Sequence, residues 1–281
     1  MPELPEVETI ARGLAARVPG RRVEGVTVRR PDVIARPASR RAFRDGMTGR
    51  RIREVTRRGK NVLFVLDAGM RLLVNLGMTG RLLLDDAPAA RGLGHVAVRF
   101  RLDDGRTLLY DDVRRFGRME LFDAQGWAER DARFGLEPLG EEMTPEALHA
   151  VTSASRVPIR NLLLDQDRIV GVGNIYASEA LHRSRVHPAR PASSLTRAET
   201  HRLRDEIRAV LQEAIDAGGT TFSDYRNASG EAGAFQFRLR VYGREGEPCA
   251  HCGTAIERQV ISNRSAFFCP ACQPHRRGRR A

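Results

Sequence analysis

The chain contains almost no lysine. Of its 47 lysine and arginine residues, Lys60 is the only lysine. Arginine is used wherever a permanent planar cation can serve, and a compact amine that can titrate is kept at one position. We interpret Lys60 as a residue with a specific chemical role. The alternative is the chance survival of one lysine at an exposed site.

Long hydrophobic runs and a basic leader are also missing. No apolar stretch approaches the length of about 20 residues that a membrane span needs. The first residues are acidic, with Glu3, Glu6 and Glu8, where a signal peptide is basic and then apolar. We therefore expect a cytoplasmic protein, in which the 4 cysteines do not form stable disulfides.

The charge balance is strongly positive. A formal net charge of +12 indicates a polyanionic partner, either nucleic acid or, less favoured, an anionic membrane surface. The length of 281 residues and the hydrophobic content of 41% allow two domains, or one domain with appendages, around a real core.

Hydrophobic spacing predicts a strand-rich first part of the chain. Residues 5–18 have apolar positions at helical spacing, and Pro19-Gly20 follows them, so we predict one amphipathic helix there. From about 22 to 122 the pattern is that of strands in an antiparallel sheet or sandwich. The clearest runs are 61–66, 71–76, 95–102 and 107–110.

The second part of the chain has helical periodicity. We predict helices from Pro158 to about 164, from Asn174 onward, and over about 197–217. Thr196 and Glu199 have the spacing of a capping box for the third helix. A short strand is predicted over 237–242, before the cysteines.

The cysteines form the most specific local motif. Cys249 and Cys252, then Cys269 and Cys272, are two Cys-x2-Cys pairs with the spacing of a four-thiolate structural zinc site. A redox dithiol is the less favoured alternative. His251 lies inside the first knuckle and is interpreted as a loop residue.

Two loops carry candidate phosphate contacts. Residues 260–268 predict a hairpin with Arg264 at or near its tip, where it either grips a phosphate or is simply solvated. Gly171 and Gly173 precede Asn174, a candidate N-cap. Exposed amides at a helix N-terminus bind phosphate, although an ordinary interhelical turn fits the same residues.

Two other loops carry candidate wedges. Gly77-Met78-Thr79-Gly80 places a large apolar side chain on a tight turn, and Arg114-Arg115-Phe116-Gly117 places a guanidinium and a ring on another loop. Apolar wedges of this kind unstack bases and hold a duplex kinked. Ordinary packing is the alternative for each loop taken separately.

The second residue is a candidate nucleophile. Removal of the initiator methionine would leave Pro2 with a free secondary amine, which can form an iminium with an aldehyde-like carbon. An α-amino group has a pKa of about 7.7–8.0, against about 10.4 for lysine, so much of it is neutral in the cell. The alternative is a common Met-Pro start followed by glutamates that cap a helix.

Together these motifs resemble bacterial formamidopyrimidine-DNA glycosylases over essentially the whole chain. The matching segments are Pro-Glu-Leu-Pro-Glu-Val-Glu at 2–8, Lys60, Leu-Gly-Met-Thr-Gly at 76–80, Arg-Arg-Phe-Gly at 114–117, Gly-Val-Gly-Asn-Ile-Tyr-Ala at 171–177, and the four-cysteine finger. The resemblance implies a multidomain α+β fold. Its parts would be an N-terminal antiparallel β-sandwich flanked by helices (1–130), a helix-two-turn-helix domain (131–235), a C-terminal four-cysteine zinc finger (236–275) and a basic tail (276–281).

The resemblance also implies an activity. A base-excision repair glycosylase with AP lyase activity would remove 8-oxoguanine and formamidopyrimidines through an N-terminal proline Schiff base and β,δ-elimination. Pro2 would be the nucleophile and Glu3 the proton donor to the sugar ring oxygen. Lys60, beside a phosphate, and Glu6 would complete the catalytic set. DNA-binding residues would be Met78, His95, Arg114, Phe116, Asn174 and Arg264. One structural zinc would be held by Cys249, Cys252, Cys269 and Cys272.

The implied partner is damaged double-stranded DNA. It would lie between the two halves with the damaged nucleotide flipped out, and residues 218–235 would form a lid over the base. We expect a monomer without a membrane partner, in the bacterial cytoplasm and associated with the nucleoid through DNA. Two positions depart from the family pattern. Val113 stands where proline or alanine is usual, and Arg160 stands where lysine is usual. The alternatives are an endonuclease VIII-like glycosylase for oxidised pyrimidines and a noncatalytic DNA-damage-binding protein.

Overall fold

The computed structural model describes residues 2–221 and 232–275. These residues form two compact units. The first contains Met1–Arg133 and Ala214–Gln236, and the second contains Phe134–Glu213 and Phe237–Ala281. The segment that follows the longest helix therefore belongs with the N-terminal part of the chain.

The first unit begins with helix α1, Leu4–Ala15. Its apolar face, including Val7, Ile10 and Leu14, is fully buried, as the helical spacing predicts. The helix ends three residues before the predicted end at 18. Val18 is nevertheless buried, because its backbone N–H closes a turn onto the carbonyl of Leu14.

Nine strands follow, as the alternating pattern predicts. They are β1 (Val23–Val28), β2 (Ile34–Arg36), β3 (Ile52–Arg58), β4 (Asn61–Leu66), β5 (Arg71–Asn75), β6 (Arg81–Leu84), β7 (Val96–Leu102), β8 (Thr107–Asp111) and β9 (Arg118–Phe122). One sheet has the order β1-β7-β8-β6, and the other has the order β2-β9-β5-β4-β3. A single apolar cluster contains side chains of both sheets and of α1, such as Phe100, Phe64 and Ile10. The predicted β-sandwich is confirmed.

Some features of the first unit differ from the expectation. β2 pairs with β9 in parallel, so the second sheet is not wholly antiparallel. Two further helices were not predicted: α2 (Arg40–Met47) and α3 (Ala124–Asp131). Each starts at a polar N-cap, Ser39 and Asp123, whose side chain accepts a backbone N–H. The helix α2 is rich in arginine and has few apolar residues, which hides its periodicity.

The second unit is helical. It contains α4 (Pro145–Ser153), α5 (Ile159–Leu164), α6 (Asn174–Arg183) and most of α7 (Arg197–Asp216). The predicted capping box of α7 is confirmed. Thr196 N donates to Glu199 Oε2 at 2.9 Å, and Glu199 N donates to Thr196 Oγ1 at 3.2 Å.

The zinc-finger segment has one hairpin, formed by β10 (Glu257–Ile261) and β11 (Arg264–Phe268). The predicted strand over 237–242 is wrong. Residues Phe235–Arg238 form a 3-10 turn, and Phe237 is 86% exposed. The backbone N–H groups of residues 240, 241 and 242 bind the buried carboxylate of Glu179 instead of a strand partner.

None of the helices in the described part of the chain combines the length with the apolar character that a transmembrane helix requires.

Candidate active site

The N-terminal catalytic candidates lie inside the first unit. Pro2 is buried, and Glu3 and Glu6 are only 4% and 2% exposed. Glu6 Oε2 accepts the backbone N–H of Glu3 at 2.8 Å, and Glu6 Oε1 accepts the N–H of Thr220 at 2.7 Å. Glu6 therefore holds the backbone beside the candidate nucleophile and fastens the residues after α7 to the same place. The helix-capping interpretation of Glu6 is confirmed, and this side chain does more than cap.

An ion pair links α1 to the turn that carries Lys60. Glu8 contacts Arg57 Nε at 2.9 Å, and Arg57 Nη1 donates to the carbonyl of Gly59 at 3.0 Å. Burial alone would raise the pKa of Glu8, but Arg57 and Arg12 outweigh burial and hold that pKa below its usual value. Lys60 itself is half-buried at the turn between β3 and β4. This support for the lysine was not predicted from the sequence. The signal in the sequence is Glu8, an acidic residue on a helix of a strongly basic protein, where an arginine partner is to be expected.

The same turn is tied to the loop of Met78. Asn75 Nδ2 donates to Asn61 Oδ1 at 3.0 Å and lies 3.5 Å from the carbonyl oxygen of Lys60. Asn75 Oδ1 accepts the N–H of Gly77 at 2.9 Å. One amide side chain thus spans the base of the lysine turn and the base of the wedge loop.

The candidate wedges are displayed on the surface of this unit. Met78 is 41% exposed and Phe116 is 53% exposed, so both large apolar side chains are accessible to a partner. The Arg114 guanidinium carbon lies 4.5 Å from the centre of the Phe116 ring, so the two side chains stack. His95, at the entry to β7, is also exposed.

The lid segment is only partly described, because residues 222–231 lie outside the described residues, as does the basic tail 276–281. The two stems of the segment are joined. Gly233 N donates to Thr221 Oγ1 at 2.9 Å, Thr221 N donates to Gln236 Oε1 at 3.0 Å, and Phe235 N donates to Gly219 O at 3.0 Å. The loop therefore starts and ends at one place in the first unit.

In the second unit Asn174 begins α6, but its predicted role as N-cap is wrong, because Gly173 occupies that position. The Asn174 side chain instead faces other partners. Asn174 Nδ2 donates to the carbonyl of Ser265 at 2.9 Å, and Asn174 Oδ1 accepts from Arg160 Nη2 at 2.6 Å. Arg264, the neighbour of Ser265, is exposed at the hairpin turn, where the sequence predicts it.

From the sequence, Arg160 stands out only because it occupies a position where the family pattern has lysine. It is 1% exposed, the largest fully buried side chain in the described structure, and it lies in α5. Its burial, and the nearby charge of Arg264, lower its pKa. The signal in the sequence is an arginine within an apolar six-residue helix, a position that needs several buried acceptors.

The four cysteines meet at one point. All four sulfur atoms lie within 4.8 Å of one another, with separations of 3.4 Å for Cys252–Cys269, 3.5 Å for Cys252–Cys272 and 4.0 Å for Cys249–Cys272. Tetrahedral zinc with bonds of about 2.3 Å requires sulfur atoms about 3.8 Å apart. The residues therefore fit one structural zinc, whose chemistry when bound is to cross-link the two knuckles.

Neighbouring side chains orient this cluster. His182 Nε2 lies 3.5 Å from Cys249 Sγ, and Gln273 Oε1 accepts the N–H of Cys269 at 2.9 Å. Burial, followed by the charge of Arg240, lowers the pKa of His182 to about 4, so the imidazole is neutral at pH 7. With its proton on Nε2, this imidazole donates to the Cys249 sulfur. His251 contacts Arg185 rather than the cluster.

The predicted site residues fall into two groups. The first unit holds Pro2, Glu3, Glu6, Lys60, Met78, His95, Arg114 and Phe116. The second unit holds Asn174, Arg264 and the four cysteines. Within each group, hydrogen bonds join the loops that carry the predicted residues.

Comparison with known proteins gives matches along most of the chain. Three family models match: the formamidopyrimidine-DNA glycosylase N-terminal domain over residues 1–119, the formamidopyrimidine-DNA glycosylase H2TH domain over 134–226, and the zinc finger found in FPG and IleRS over 246–274.

Similar full-length proteins agree with these models. A formamidopyrimidine-DNA glycosylase of Salinispora arenicola is 46% identical over 283 residues, covering 99% of this chain and 98% of that protein. The crystal structure of the MutM (Fpg) protein from Thermus thermophilus has a TM-score of 0.85 and 44% identity, and covers 97% of this chain and 98% of that one. Lactococcus lactis Fpg, solved with DNA containing an abasic site, has a TM-score of 0.87 and 33% identity, with 97% and 99% covered. With near-complete coverage at 46% identity, this chain belongs to the formamidopyrimidine-DNA glycosylase family.

Proposed function

We propose that this glycosylase excises 8-oxoguanine and ring-opened purines from duplex DNA and cleaves the strand through a Schiff base at Pro2. Family membership supports a base-excision repair DNA glycosylase with AP lyase activity. The observation that supports the assignment of residues is the burial of Pro2 and Glu3 immediately before α1. The Glu6 carboxylate accepts the backbone N–H groups of Glu3 and Thr220 and so fixes the backbone next to Pro2.

The proposed reaction starts once the initiator methionine has been removed. The lone pair of the Pro2 nitrogen attacks C1′ of the flipped nucleotide, the C1′–N bond to the base breaks, and the base leaves with a proton. Glu3 donates a proton to the sugar ring oxygen, the ring opens, and an iminium joins Pro2 to C1′. The iminium has no N–H proton to lose, so it remains an electron sink.

Strand cleavage follows from that electron sink. Loss of a C2′ proton expels the 3′ phosphate, and a second elimination expels the 5′ phosphate, which leaves a one-nucleotide gap with phosphate ends. Ring opening requires a proton on the Glu3 carboxyl, a side chain that is 4% exposed and accepts the backbone N–H of Glu6 at the start of α1.

The remaining site residues are proposed to hold the DNA. Lys60, Asn174 and Arg264 bind phosphates around the flipped nucleotide, and His95 contacts the backbone from the edge of β7. Met78, Arg114 and Phe116 fill the space that the nucleotide vacates, with the arginine facing the orphaned cytosine. The exposure of Met78 and Phe116 supports this role. We further propose that the protein acts as a cytoplasmic monomer on damaged double-stranded DNA.

One experiment separates this function from its rivals. Duplexes containing 8-oxoguanine opposite cytosine, 8-oxoguanine opposite adenine, or thymine glycol are incubated with the protein. We expect faster cleavage of 8-oxoguanine opposite cytosine than of thymine glycol. Preferential cleavage of thymine glycol would instead favour an endonuclease VIII-like specificity. Binding of the duplexes without cleavage of any of them would leave a damage-binding protein.

A further inference from the structure

A buried carboxylate connects the two wedge loops. Asp112, just after β8, is 1% exposed. Its Oδ1 accepts from Thr79 Oγ1 at 2.6 Å, and its Oδ2 accepts from Tyr110 OH at 3.0 Å and from Gly117 N at 2.9 Å. Thr79 follows Met78, and Gly117 follows Phe116, so one carboxylate is anchored to both loops.

The Thr79 hydroxyl extends this connection to Arg114. It donates to Asp112 and accepts the backbone N–H of Arg114 at 3.1 Å. The Arg114 backbone is therefore linked through Thr79 to Asp112, because a hydroxyl donates and accepts through the same oxygen atom.

The two loops are also interlocked by shape. Gly77 has a φ of +58°, and a Cβ added there would lie 2.6 Å from both Gly117 N and the Phe116 carbonyl carbon. A Cβ on Gly117 would lie 1.7 Å from Tyr110 OH. The backbones of the loops are thus in contact, and neither can shift far without moving the other.

The neighbouring carboxylate extends the network to His95. Asp111, 3% exposed, accepts the N–H of His95 at 2.8 Å, and Asp112 N lies 3.2 Å from the carbonyl oxygen of His95. Burial and the charge of Asp112 also raise the pKa of Tyr110 well above its usual range, so the phenol stays a donor. Three surface loops converge on one pair of buried acids.

We propose that the Asp111–Asp112 pair is a positioning device that makes the loops of Met78, His95 and Arg114–Phe116 meet DNA as one rigid body. The inference rests on the proposed function for the roles of those side chains. Rigid loops lose less conformational freedom when they enter the duplex, and a fixed Arg114 reads the opposite base more strictly. Asp112 is thus a positioning residue for base discrimination, without contact to the reacting atoms.

The substitution pair Thr79→Val and Thr79→Ser tests the coupling. Valine keeps the shape but removes the hydroxyl, whereas serine keeps the hydroxyl. Hydrogen exchange of the free protein then follows the backbone amides of His95 and Gly117, which donate to Asp111 and Asp112 and have no bond to residue 79. We expect faster exchange at both places in Thr79→Val and near-native exchange in Thr79→Ser. Faster exchange confined to residues 77–80 and to Arg114, whose amide loses its acceptor directly, would overturn the coupling.

Base discrimination tests the functional part. For each variant, and for Asp112→Asn, single-turnover excision of 8-oxoguanine is compared opposite cytosine and opposite adenine. The asparagine amide places an NH2 group against donors, so one loop loses its acceptor. We expect the cytosine-to-adenine rate ratio to fall about fivefold in Thr79→Val, the factor that one hydrogen bond contributes. It should fall further in Asp112→Asn and stay near native in Thr79→Ser.

The outcomes are distinguishable. An unchanged ratio in Thr79→Val, with native fold by circular dichroism, would overturn the positioning role of Asp112. A wild-type protein that cleaves no lesion would overturn the proposed function, and the exchange of the free protein would still decide the coupling. If Asp112→Asn does not fold, the Thr79 pair alone decides both parts.

Discussion

Arg160 and Asn174 form the central contact of the second unit: Arg160 Nη2 donates to Asn174 Oδ1 at 2.6 Å. The same guanidinium donates to the carbonyls of Ile261 at 3.2 Å and Ser265 at 3.0 Å, at the two ends of the hairpin turn. Because these carbonyls flank Arg264, the buried contact joins α5, α6 and the zinc-finger hairpin into one piece. The two proposed phosphate contacts, Asn174 and Arg264, are then held in fixed relation.

Replacement of Arg160 tests this arrangement. Arg160→Met removes the donor to Asn174 Oδ1 and to the Ile261 carbonyl, whereas the Ser265 carbonyl keeps the Asn174 amide as a donor, and we expect unfolding of the second unit to become easier by about 1–3 kcal/mol. Arg160→Lys retains a donor that reaches part of this set, and we expect a smaller loss. The measurements are urea unfolding and DNA affinity. Equal stability of Arg160→Met and the wild type would contradict the role of the guanidinium.

Lys60→Arg tests the meaning of the single lysine. The charge is unchanged, but a planar fork cannot occupy the place of a compact ammonium. We expect the single-turnover excision rate to fall at least about tenfold, a loss of about 1.4 kcal/mol in transition-state stabilisation. The exposed Arg53→Lys on the adjoining strand is the matched control and should leave the rate unchanged. Near-native excision by Lys60→Arg would mean that this lysine is dispensable.

The ion pair of Arg190 and Glu199 predicts a pH dependence of stability. The hydrogen bond from Arg190 is the main cause that lowers the pKa of Glu199 from 4.5 to about 2. Since the folded-state pKa is the lower one, the stabilisation is complete above about pH 4.5 and is lost as pH falls towards 2. After allowance for screening by solvent, its full size is about 1–2 kcal/mol.

The comparison that checks this prediction is Glu199→Gln against the wild type, by urea unfolding at several pH values. The difference should be largest above pH 5 and should shrink steadily below 4.5. Glu257→Gln, at an exposed position of the finger hairpin, serves as the control. A difference that stays constant from pH 6 to 3 would show that the carboxylate charge contributes nothing.

Removal of zinc should affect the finger and spare the sandwich. The thiolates need the metal to stay together, whereas the sheets of the first unit are held by their own apolar core. After chelation we expect weaker DNA binding, fast hydrogen exchange over 257–268 and preserved exchange protection over 96–111. Loss of protection in the sandwich strands would contradict a role confined to the finger.

Much of this fold follows from local patterns. Apolar runs over 61–66 and 71–76 and the alternation over 95–102 predict strands of the sandwich, and the spacing of Thr196 and Glu199 predicts the start of α7. The zinc cluster follows from cysteine spacing alone. These features depend on residues close in sequence, so a pattern within a short window is sufficient to find them.

The features that the sequence analysis missed or predicted wrongly depend on residues that are far apart in sequence. The segment 237–242 has the apolar residues of a strand, but the carboxylate of Glu179, about 60 residues earlier, takes its backbone N–H groups. The role of Arg160 is likewise set by the Ile261 carbonyl, about 100 residues later, and the link from Asp112 to the Met78 loop is set by Thr79, more than 30 residues earlier. The tertiary structure determines such partners, and the sequence around Arg160 indicates only that a buried guanidinium needs acceptors.

The central claim is that Pro2 forms the Schiff base, and borohydride trapping on abasic DNA tests it most directly. Only two amines in the chain can react, the N-terminus and Lys60. With Lys60→Arg we expect a trapped adduct that peptide mapping places on Pro2, and with Pro2→Gln, which keeps the initiator methionine, we expect none at the second residue. An adduct that disappears with Lys60 and persists when Pro2 is blocked would contradict the account.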